Sequence, residues 1–313
     1  MTAAAVARRP TVAHRVQYGA VRAMVAVLRL LGFRRASAVG AWLGALGYRP
    51  LGIRRAVVER QLRGAFPDWT PARVAQVARA SYQNLGRTFI ESAVLPAYSR
   101  EQVLGLFERV ENWEIVEQAL ALGRGVIMLT GHIGNWEIGG AYFAARGVPF
   151  AAVTRGMENP QFDRYITRAR RLVGVTVVHD ADAVRQVPRL LRAGHAVAFL
   201  FDQGAVGLAS TWVPFFGRMA KTPRGPAVFA LRLDAPMVFG LSIRQPNGRF
   251  TLSFEAVDTV RTGDRDADVD AMVAAYSAVL ERWVRRVPEQ YFWHHRRWKH
   301  QRPGTPPELG DPS

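Results

Sequence analysis

Apolar residues recur with two different periods along this chain, and segments of the two kinds alternate. Short apolar, β-branched runs bounded by glycine, such as residues 125–129, predict buried strands. Longer stretches with apolar positions three and four residues apart, such as 136–146, predict helices. From residue 112 onward the two kinds follow one another. This rhythm predicts an α/β fold with a mostly parallel central sheet flanked by helices.

The predicted elements after residue 112 can be placed individually. Strands are predicted at 125–129, 150–154, 175–178 and 196–201, and helices at 112–122, 136–146, 161–173, 182–193, 226–233 and 269–287. Two more strands, 237–244 and 249–255, are joined by Pro-Asn-Gly, which predicts an antiparallel hairpin. Residues 203–223 are predicted to form a long loop.

Three helices are predicted before residue 112, at 11–33, 53–64 and 70–95. Thr70 and Pro71 are typical of a helix start, as cap and first residue. In the first helix, Arg15, Arg22 and Arg29 recur every seven residues on one side of an otherwise apolar surface. This pattern suits a helix lying in a membrane interface. It equally suits an amphipathic helix docked on the rest of the domain, and the sequence leaves both interpretations open.

Composition narrows the class of protein. A hydrophobic content of 49% with 21% charged residues is typical of a globular chain, and no cysteine is present. Disulfides, thiolate metal sites and a cysteine nucleophile are therefore excluded. The net charge of +17 calls for a polyanionic partner, such as nucleic acid, anionic lipid headgroups or an acidic carrier protein. No uncharged stretch reaches the roughly 18 residues that cross a bilayer, which predicts a protein peripheral to the cytoplasmic face of a membrane.

Three regions are expected. Residues 1–50 form a basic amphipathic, membrane-associating region, residues 51–302 form one α/β domain, and residues 303–313 are a Pro/Gly-rich tail expected to be disordered.

Candidate chemistry lies where the strand at 125–129 meets the helix at 136–146. His132 stands in the glycine-rich turn, and Glu137 follows it inside the new helix. Within one regular helix, residues five apart point about 140° away from each other, so the two can meet only if the helix begins after His132. A carboxylate bonded to one imidazole nitrogen would then leave the other free as a base. The alternative is a histidine packed at a turn beside a solvated glutamate.

Several sequence blocks together resemble one family. HIGNWE at 132–137 resembles the H-x4-D/E signature of glycerolipid acyltransferases. The full set resembles the bacterial lipid A (lauroyl/myristoyl) acyltransferase family, which includes the phosphatidylinositol mannoside acyltransferases. The other blocks are TRGMENPQFDRYITRARRLVG at 154–174, FLFDQGA at 199–205, VPFFGRMAKTPRGPAVFALR at 213–232 and PEQYFWHHRRWK at 288–299. The resemblance spans roughly residues 50–300.

The resemblance implies an O-acyltransferase that moves a fatty acyl chain from acyl carrier protein or acyl-CoA to a hydroxyl of a saccharide-bearing lipid, such as a lipid A precursor. His132 would be the general base and Glu137 its orienting partner. Five further residues are expected to bind substrate or support the site: Arg155, Asn159, Arg168, Asp202 and Gln203. Arg155 would bind an acceptor phosphate or orient substrate, and Asp202 with Gln203 would support the site through Arg155. A surface position for Arg155 and a turn or capping role for Asp202 are the alternatives.

The resemblance also implies a monomer at the inner membrane of the cell, acting in lipopolysaccharide or glycolipid biosynthesis. No cofactor, metal or nucleic acid is expected, and the partners are a lipid acceptor, an acyl donor and an anionic membrane surface. A phosphatidylinositol mannoside acyltransferase, or one acting on another glycolipid or phospholipid, is the alternative within the class. A non-catalytic anionic-lipid-binding protein is the alternative outside it.

The aromatic and basic cluster at 291–299 has three interpretations. Interleaved aromatic and cationic side chains can bind nucleic acid, and the adjacent His294 and His295 can suggest a metal site. In the family that the chain resembles, this segment closes the fold near the substrate site, and that interpretation is preferred. Trp212, Phe215 and Phe216 could line an acyl-chain cleft, although core packing is the more common role of such aromatic residues.

Overall fold

The computed structural model describes residues 12–157, 159–204 and 207–312, and the side chains of residues 12–18 and 21 are outside that description. The helices are α1 (Val12–Leu30), α2 (Gly32–Tyr48), α3 (Arg55–Ala65), α4 (Pro71–Val94), α5 (Arg100–Leu104), α6 (Trp113–Ala121), α7 (Trp136–Ala145), α8 (Pro160–Leu172), α9 (Ala183–Arg192), α10 (Gly225–Leu233) and α11 (Arg265–Arg286). The strands are β1 (Phe107–Glu111), β2 (Val126–Thr130), β3 (Phe150–Thr154), β4 (Val175–His179), β5 (Ala196–Leu200), β6 (Ser210–Phe215), β7 (Arg218–Pro223), β8 (Met237–Arg244) and β9 (Phe250–Val257).

Seven strands form one twisted central sheet in the order β1-β9-β8-β2-β5-β3-β4. Strands β8, β2, β5, β3 and β4 are parallel, while β9 runs antiparallel to β8 and pairs in parallel with β1. The predicted α/β class and the predicted hairpin are therefore confirmed. Because β2 and β5 are neighbours and parallel, the residues that follow them meet at the same edge of the sheet.

Helices cover both faces of the sheet. The side chains of β2 alternate, so Ile127 and Leu129 pack on one face while Val126 and Met128 pack on the other. The first face carries α3, α9, α10 and α11, and the second carries α6 and α7. Helix α4 contributes buried residues to both cores, since its N-terminal half packs with α3 and its C-terminal half packs with α7.

The N-terminal segment forms two helices where one was predicted, because the chain breaks at Gly32, whose φ is +73°. In α1, Val25 and Leu28 are buried, whereas Leu30 is 87% exposed. The chain thus docks one face of α1 and leaves apolar side chains exposed on another. Arg15 of the predicted arginine row lies outside the described side chains. Within the described ranges, no helix is long and apolar enough to cross a bilayer.

The prediction of a long loop at 203–223 was wrong. Residues 210–223 form a two-stranded antiparallel sheet, β6 with β7, that pairs with no strand of the central sheet. Pro214 and Pro223 lie within these strands and obscured their alternation. Phe215 and Phe216 are buried in the core and do not line a cleft. The sequence also did not predict β1 and α5.

The C-terminal tail lies against the body of the protein, although disorder was expected. Asp311 is bound by the guanidinium of Arg296 and by the side-chain amide of Gln61. Arg218 donates to the carbonyl of Gly310 at 2.7 Å. These contacts involve α3, β7 and the tail. In the described part of the tail, these polar contacts take the place of the apolar packing that its sequence lacks.

Candidate active site

The turn after β2 is built so that only glycine fits at its centre. Gly134 has a φ of +62°, and a Cβ there would lie 2.0 Å from the carbonyl oxygen of Ser242. The side chain of Asn135 then caps α7 by accepting from the N–H of Ile138 at 3.2 Å. The helix therefore begins after His132, as the sequence required, and the imidazole is left at the edge of the sheet.

Asp202 holds His132 through two hydrogen bonds. Nδ1 of His132 lies 2.7 Å from one carboxylate oxygen, and the backbone N–H of His132 donates to the other oxygen at 2.9 Å. Asp202 is buried and follows β5, the neighbour of β2. Burial alone would raise the pKa of Asp202, but the charge of His132 and these hydrogen bonds outweigh it and lower that pKa. Asp202 is therefore a carboxylate that fixes the imidazole.

The expected pairing of Glu137 with His132 is not what the structure contains. Glu137 accepts two hydrogen bonds from Arg170 of α8, at 2.5 and 3.0 Å, and one from the indole of Trp136 at 3.2 Å. Position 137 is in the first turn of α7, which faces α8, whereas the imidazole turns toward the end of β5. The orienting partner of His132 is thus Asp202. Among the described residues, no hydrogen bond or ion pair joins Asp202 to Arg155, its expected partner.

A buried ion pair supports the turn from below. Glu91 of α4 is fully buried and accepts from both guanidinium nitrogens of Arg244, at 2.5 and 2.7 Å, and from Nδ2 of Asn135 at 2.8 Å. The hydroxyl of Thr88 donates to the carbonyl of Gly134 at 3.1 Å. Because a buried charge without its partner is strongly unfavourable, this network fixes where the turn can lie.

The C-terminal segment closes the turn from the other side. The N–H of Phe292 donates to the carbonyl of His132 at 2.9 Å, and the N–H of Gly134 donates to the carbonyl of Gln290 at 3.0 Å. Burial, together with the negative charge of Asp202, raises the pKa of Tyr291. The preferred interpretation of the cluster at 291–299, that it closes the fold near the site, agrees with these contacts.

A cleft of about 690 Å³ opens beside His132, and residues from both faces of the sheet line it. On the face that carries α7, called the α7 side, the lining is apolar and mostly buried, and it includes Met128, Gly139, Gly140, Phe143, Phe150, Leu252 and Phe254. On the face that carries α9, called the α9 side, several lining residues are exposed, and the lining includes Ala183, Val184, Phe199, Leu208, Val228, Phe229 and Arg232. His132, Glu137 and Arg170 also line the cleft.

Of the other predicted site residues, some line the cleft and some do not. Arg155 is exposed and lines the cleft just after β3, and Gln203 lines it just after Asp202. Asn159 caps α8 by accepting from the N–H of Gln161 at 3.0 Å. Arg168 is exposed on α8 and is not part of the cleft lining. The structure therefore brings Arg155 and Gln203 to the site, together with His132 and Asp202, while Asn159 and Arg168 lie outside the lining.

Sequence reasoning missed three residues of the site. Neither Arg170 nor Glu91 was predicted, and Tyr291 was included only as part of the aromatic and basic cluster. A usable signal existed only for Arg170, which falls in the basic block that follows Asn159. For Glu91, the contact with Asn135 joins residues 44 positions apart, and no local pattern reveals it.

Comparison with known proteins bears on the chemistry of this site. A family model described as bacterial lipid A biosynthesis acyltransferase matches residues 7–300. The lipid A biosynthesis lauroyltransferase of Escherichia coli (strain K12) is 24% identical over 270 residues, which is 86% of each chain. The phosphatidylinositol mannoside acyltransferase of Mycobacterium tuberculosis (strain ATCC 25618 / H37Rv) is 24% identical over 163 residues, 51% of this chain and 52% of that one. Because the model covers nearly the whole chain, this protein belongs to the bacterial lipid A biosynthesis acyltransferase family and is an acyltransferase.

Proposed function

We propose that this enzyme transfers a fatty acyl chain from a thioester to a hydroxyl of a saccharide-bearing lipid, with His132 as general base. The observation that carries the proposal is the bond between Asp202 and Nδ1 of His132, which lines the cleft. Among the described residues, none bonds Nε2 of His132. That nitrogen is therefore available to a substrate hydroxyl.

The proton path follows from this geometry. Nε2 accepts the proton of the acceptor hydroxyl as its oxygen attacks the thioester carbon. The carboxylate of Asp202 stabilises the imidazolium that forms. The tetrahedral intermediate then collapses, the carbon–sulfur bond breaks, and the sulfur takes the proton from Nε2 to leave as a thiol. No acyl-enzyme is required.

Two sets of donors can stabilise the oxyanion. The backbone N–H groups of Trp136 and Glu137, in the first turn of α7, bond to none of the described residues, and the N-terminus of a helix favours negative charge. Arg170 adds a guanidinium that Glu137 holds in place. Although burial opposes it, the hydrogen bonds and charge of Glu137 raise the pKa of Arg170, so the cation is kept.

The α7 side of the cleft supports the choice of substrate. It is apolar, mostly buried and part of the same cleft as His132, which suits the hydrocarbon chain of the acyl group. Arg155 lies at the cleft, where its planar guanidinium can bind a phosphate of the acceptor. We expect the enzyme to work as a monomer, peripheral to the cytoplasmic face of the inner membrane. A phosphatidylinositol mannoside is the alternative acceptor, favoured by the similarity of part of the chain to an enzyme of that name.

An assay of acyl transfer from a thioester tests the proposal. His132→Ala should lower turnover by about 10² to 10⁴-fold with the fold intact. Asp202→Asn should lose a large part of the same factor, and the double variant should be no worse than His132→Ala alone, since the two residues act as a unit. Offering a lipid A precursor and a phosphatidylinositol mannoside in parallel distinguishes the acceptors. Near-normal transfer by folded His132→Ala protein would exclude the mechanism.

A further inference from the structure

Helices α2 and α4 leave an open groove between them, separate from the catalytic cleft. This α2–α4 groove has a volume of about 1100 Å³, and its lining includes Trp42, Ala45, Arg49, Ala75 and Arg79. It shares no lining residue with the cleft beside His132. A molecule bound in the groove therefore occupies a site of its own.

Glycine and alanine residues account for the shape of the groove. A Cβ on Gly40 would lie 2.5 Å from the carbonyl oxygen of Gly86, and one on Gly44 would lie 2.0 Å from that of Tyr82. The two helices therefore touch through their backbones at these glycines, and the order of the contacts shows that they run antiparallel. Four of the eleven residues that line the groove are alanine, whose short side chains leave the space between the helices unfilled.

Two arginines stand at nearly the same level of the groove, one from each helix. In the antiparallel arrangement Arg49, the first residue after α2, is opposite residue 77, which is about half a turn from Arg79. Both arginines are exposed, and neither forms an ion pair with any described residue. No acidic residue lines the groove. Glu59, which accepts from the hydroxyl of Tyr48 in the lining, is already paired with two arginines of α3.

Apolar side chains lie beside these charges. Trp42 lines the groove and is exposed, and Leu43 next to it is exposed as well. Leu51 and Ile53, which follow Arg49 in the chain, are also exposed. Tryptophan is enriched where a membrane meets water, because its ring has an apolar body and a polar N–H. The groove and its surroundings thus combine unpaired positive charge with apolar surface.

We propose that the α2–α4 groove binds one anionic phospholipid that is not a substrate, with its phosphate between Arg49 and Arg79 and an acyl chain along the alanine-lined floor. Charge favours this occupant, because guanidinium groups bind phosphate through strong, charge-assisted hydrogen bonds. A second copy of the chain suits the groove less well. A two-fold contact through the groove would bring arginines against arginines, with no lining carboxylate to offset them. The inference goes beyond the proposed function and does not depend on it.

The test uses dihexanoylphosphatidylglycerol below its critical micelle concentration, so that single lipid molecules and not vesicles are the probe. Isothermal titration calorimetry should show a single site, and dihexanoylphosphatidylcholine, whose headgroup has no net charge, should bind more weakly. Arg49→Gln/Arg79→Gln should raise Kd for the anionic probe at least ~10-fold, because both phosphate contacts are lost. The control Arg60→Gln/Arg265→Gln makes the same change in net charge at exposed positions outside the groove and should bind as the unaltered enzyme does.

Two further variants test the apolar part of the groove. Ala75→Phe fills the groove without changing the charge and should weaken the binding of both probes. Trp42→Phe should bind the anionic probe nearly as well as the unaltered enzyme does. It should, however, lose the change in tryptophan fluorescence that binding produces, because Trp42 is the only tryptophan among the described residues that line the groove.

Each other outcome overturns the inference. An unchanged Kd in Arg49→Gln/Arg79→Gln, or an equal rise in the control, would show that the groove does not bind the phosphate. If the unaltered enzyme binds neither probe, the groove is left to a helix of another protein, and a dimer that Ala75→Phe abolishes would assign it to a second copy. Loss of acyl transfer between soluble substrates in the double arginine variant would place the groove in the path of a substrate. Because the readout is lipid binding, failure of the proposed function would be a separate result.

Discussion

At the scale of single residues, the histidine and the acidic residue of the H-x4-E motif belong to two different pairs. His132 pairs with Asp202, and Glu137 pairs with Arg170. A glutamate at this position therefore acts on the site through a cation on the neighbouring helix. The motif's spacing serves to put both pairs at one end of α7 and not to join its own two residues.

This arrangement can be measured with a double-mutant cycle. Glu137→Gln and Arg170→Gln should each lower turnover, because either change leaves the other group misplaced in a half-buried site. The double variant should be no worse than the worse single variant, since the same interaction is lost. Glu137→Gln combined with Asp202→Asn should instead lower turnover further than either change alone. If the loss of turnover in the double variant is instead the product of the two single losses, Glu137 and Arg170 act independently.

At the scale of elements, the exposed apolar side chains of α1 and α2 are the candidate membrane contact. Leu30 is 87% exposed and Trp42 is 61% exposed, and the same two helices carry exposed arginines. Burying one large apolar side chain stabilises by about 1.5–3 kcal/mol, so two of them can hold a peripheral protein on a bilayer that also attracts its positive charge.

We expect Leu30→Gln/Trp42→Gln to lower binding to anionic vesicles by more than ~10-fold, with unfolding unchanged, because both side chains are exposed in the fold. Vesicle co-sedimentation measures the effect. Leu122→Gln, which alters a 52% exposed leucine at the amino-terminal side of β2, is the matched control and should bind normally. If the double variant binds vesicles as well as the control does, the membrane contact lies on another surface.

Six of the seven strands of the central sheet were predictable because each is a short run rich in apolar residues, and β8 was predicted with its observed bounds. Strand β1 was not predicted, since three of its five residues are charged. Strands β6 and β7 were not, since two prolines and several polar residues interrupt them. For the same kind of reason His132 could be identified and its partner could not. His132 stands in a local motif, but Asp202 reaches it only because β5 lies next to β2, and that order of strands is a property of the assembled sheet.

At the scale of the whole molecule, the buried His294 and the half-buried His295 link stability to pH. Burial, aided by the charge of Arg54, lowers the pKa of His294 to about 4, from an ordinary value of 6.5. Burial also lowers the pKa of His295 to about 4, with Arg297 and Lys299 acting in the same direction and Asp202 opposing them. Between pH 6.5 and about 4, these two histidines are therefore protonated in the unfolded chain and neutral in the folded one.

The free energy of unfolding should accordingly fall as pH drops from 6.5 toward 4, by roughly 3 kcal/mol for each histidine at most. Urea titrations across this range measure the slope. Replacing both residues, His294→Gln/His295→Gln, should flatten the slope whatever it does to stability near neutrality. The control His179→Gln leaves both of these imidazoles in place and should show the same slope as the unaltered protein. An unchanged slope in the double variant would place the acid sensitivity in other groups.

The hydrogen bonds from Phe292 to His132 and from Gly134 to Gln290 also set an order of events during synthesis. The ribosome releases residues 126–200, with the strands that frame the histidine, well before it releases residues 288–298. Until those residues emerge, the carbonyl of His132 and the N–H of Gly134 lack the partners that fix the turn. A partly made chain can therefore hold both His132 and Asp202 before the turn that positions them is fixed.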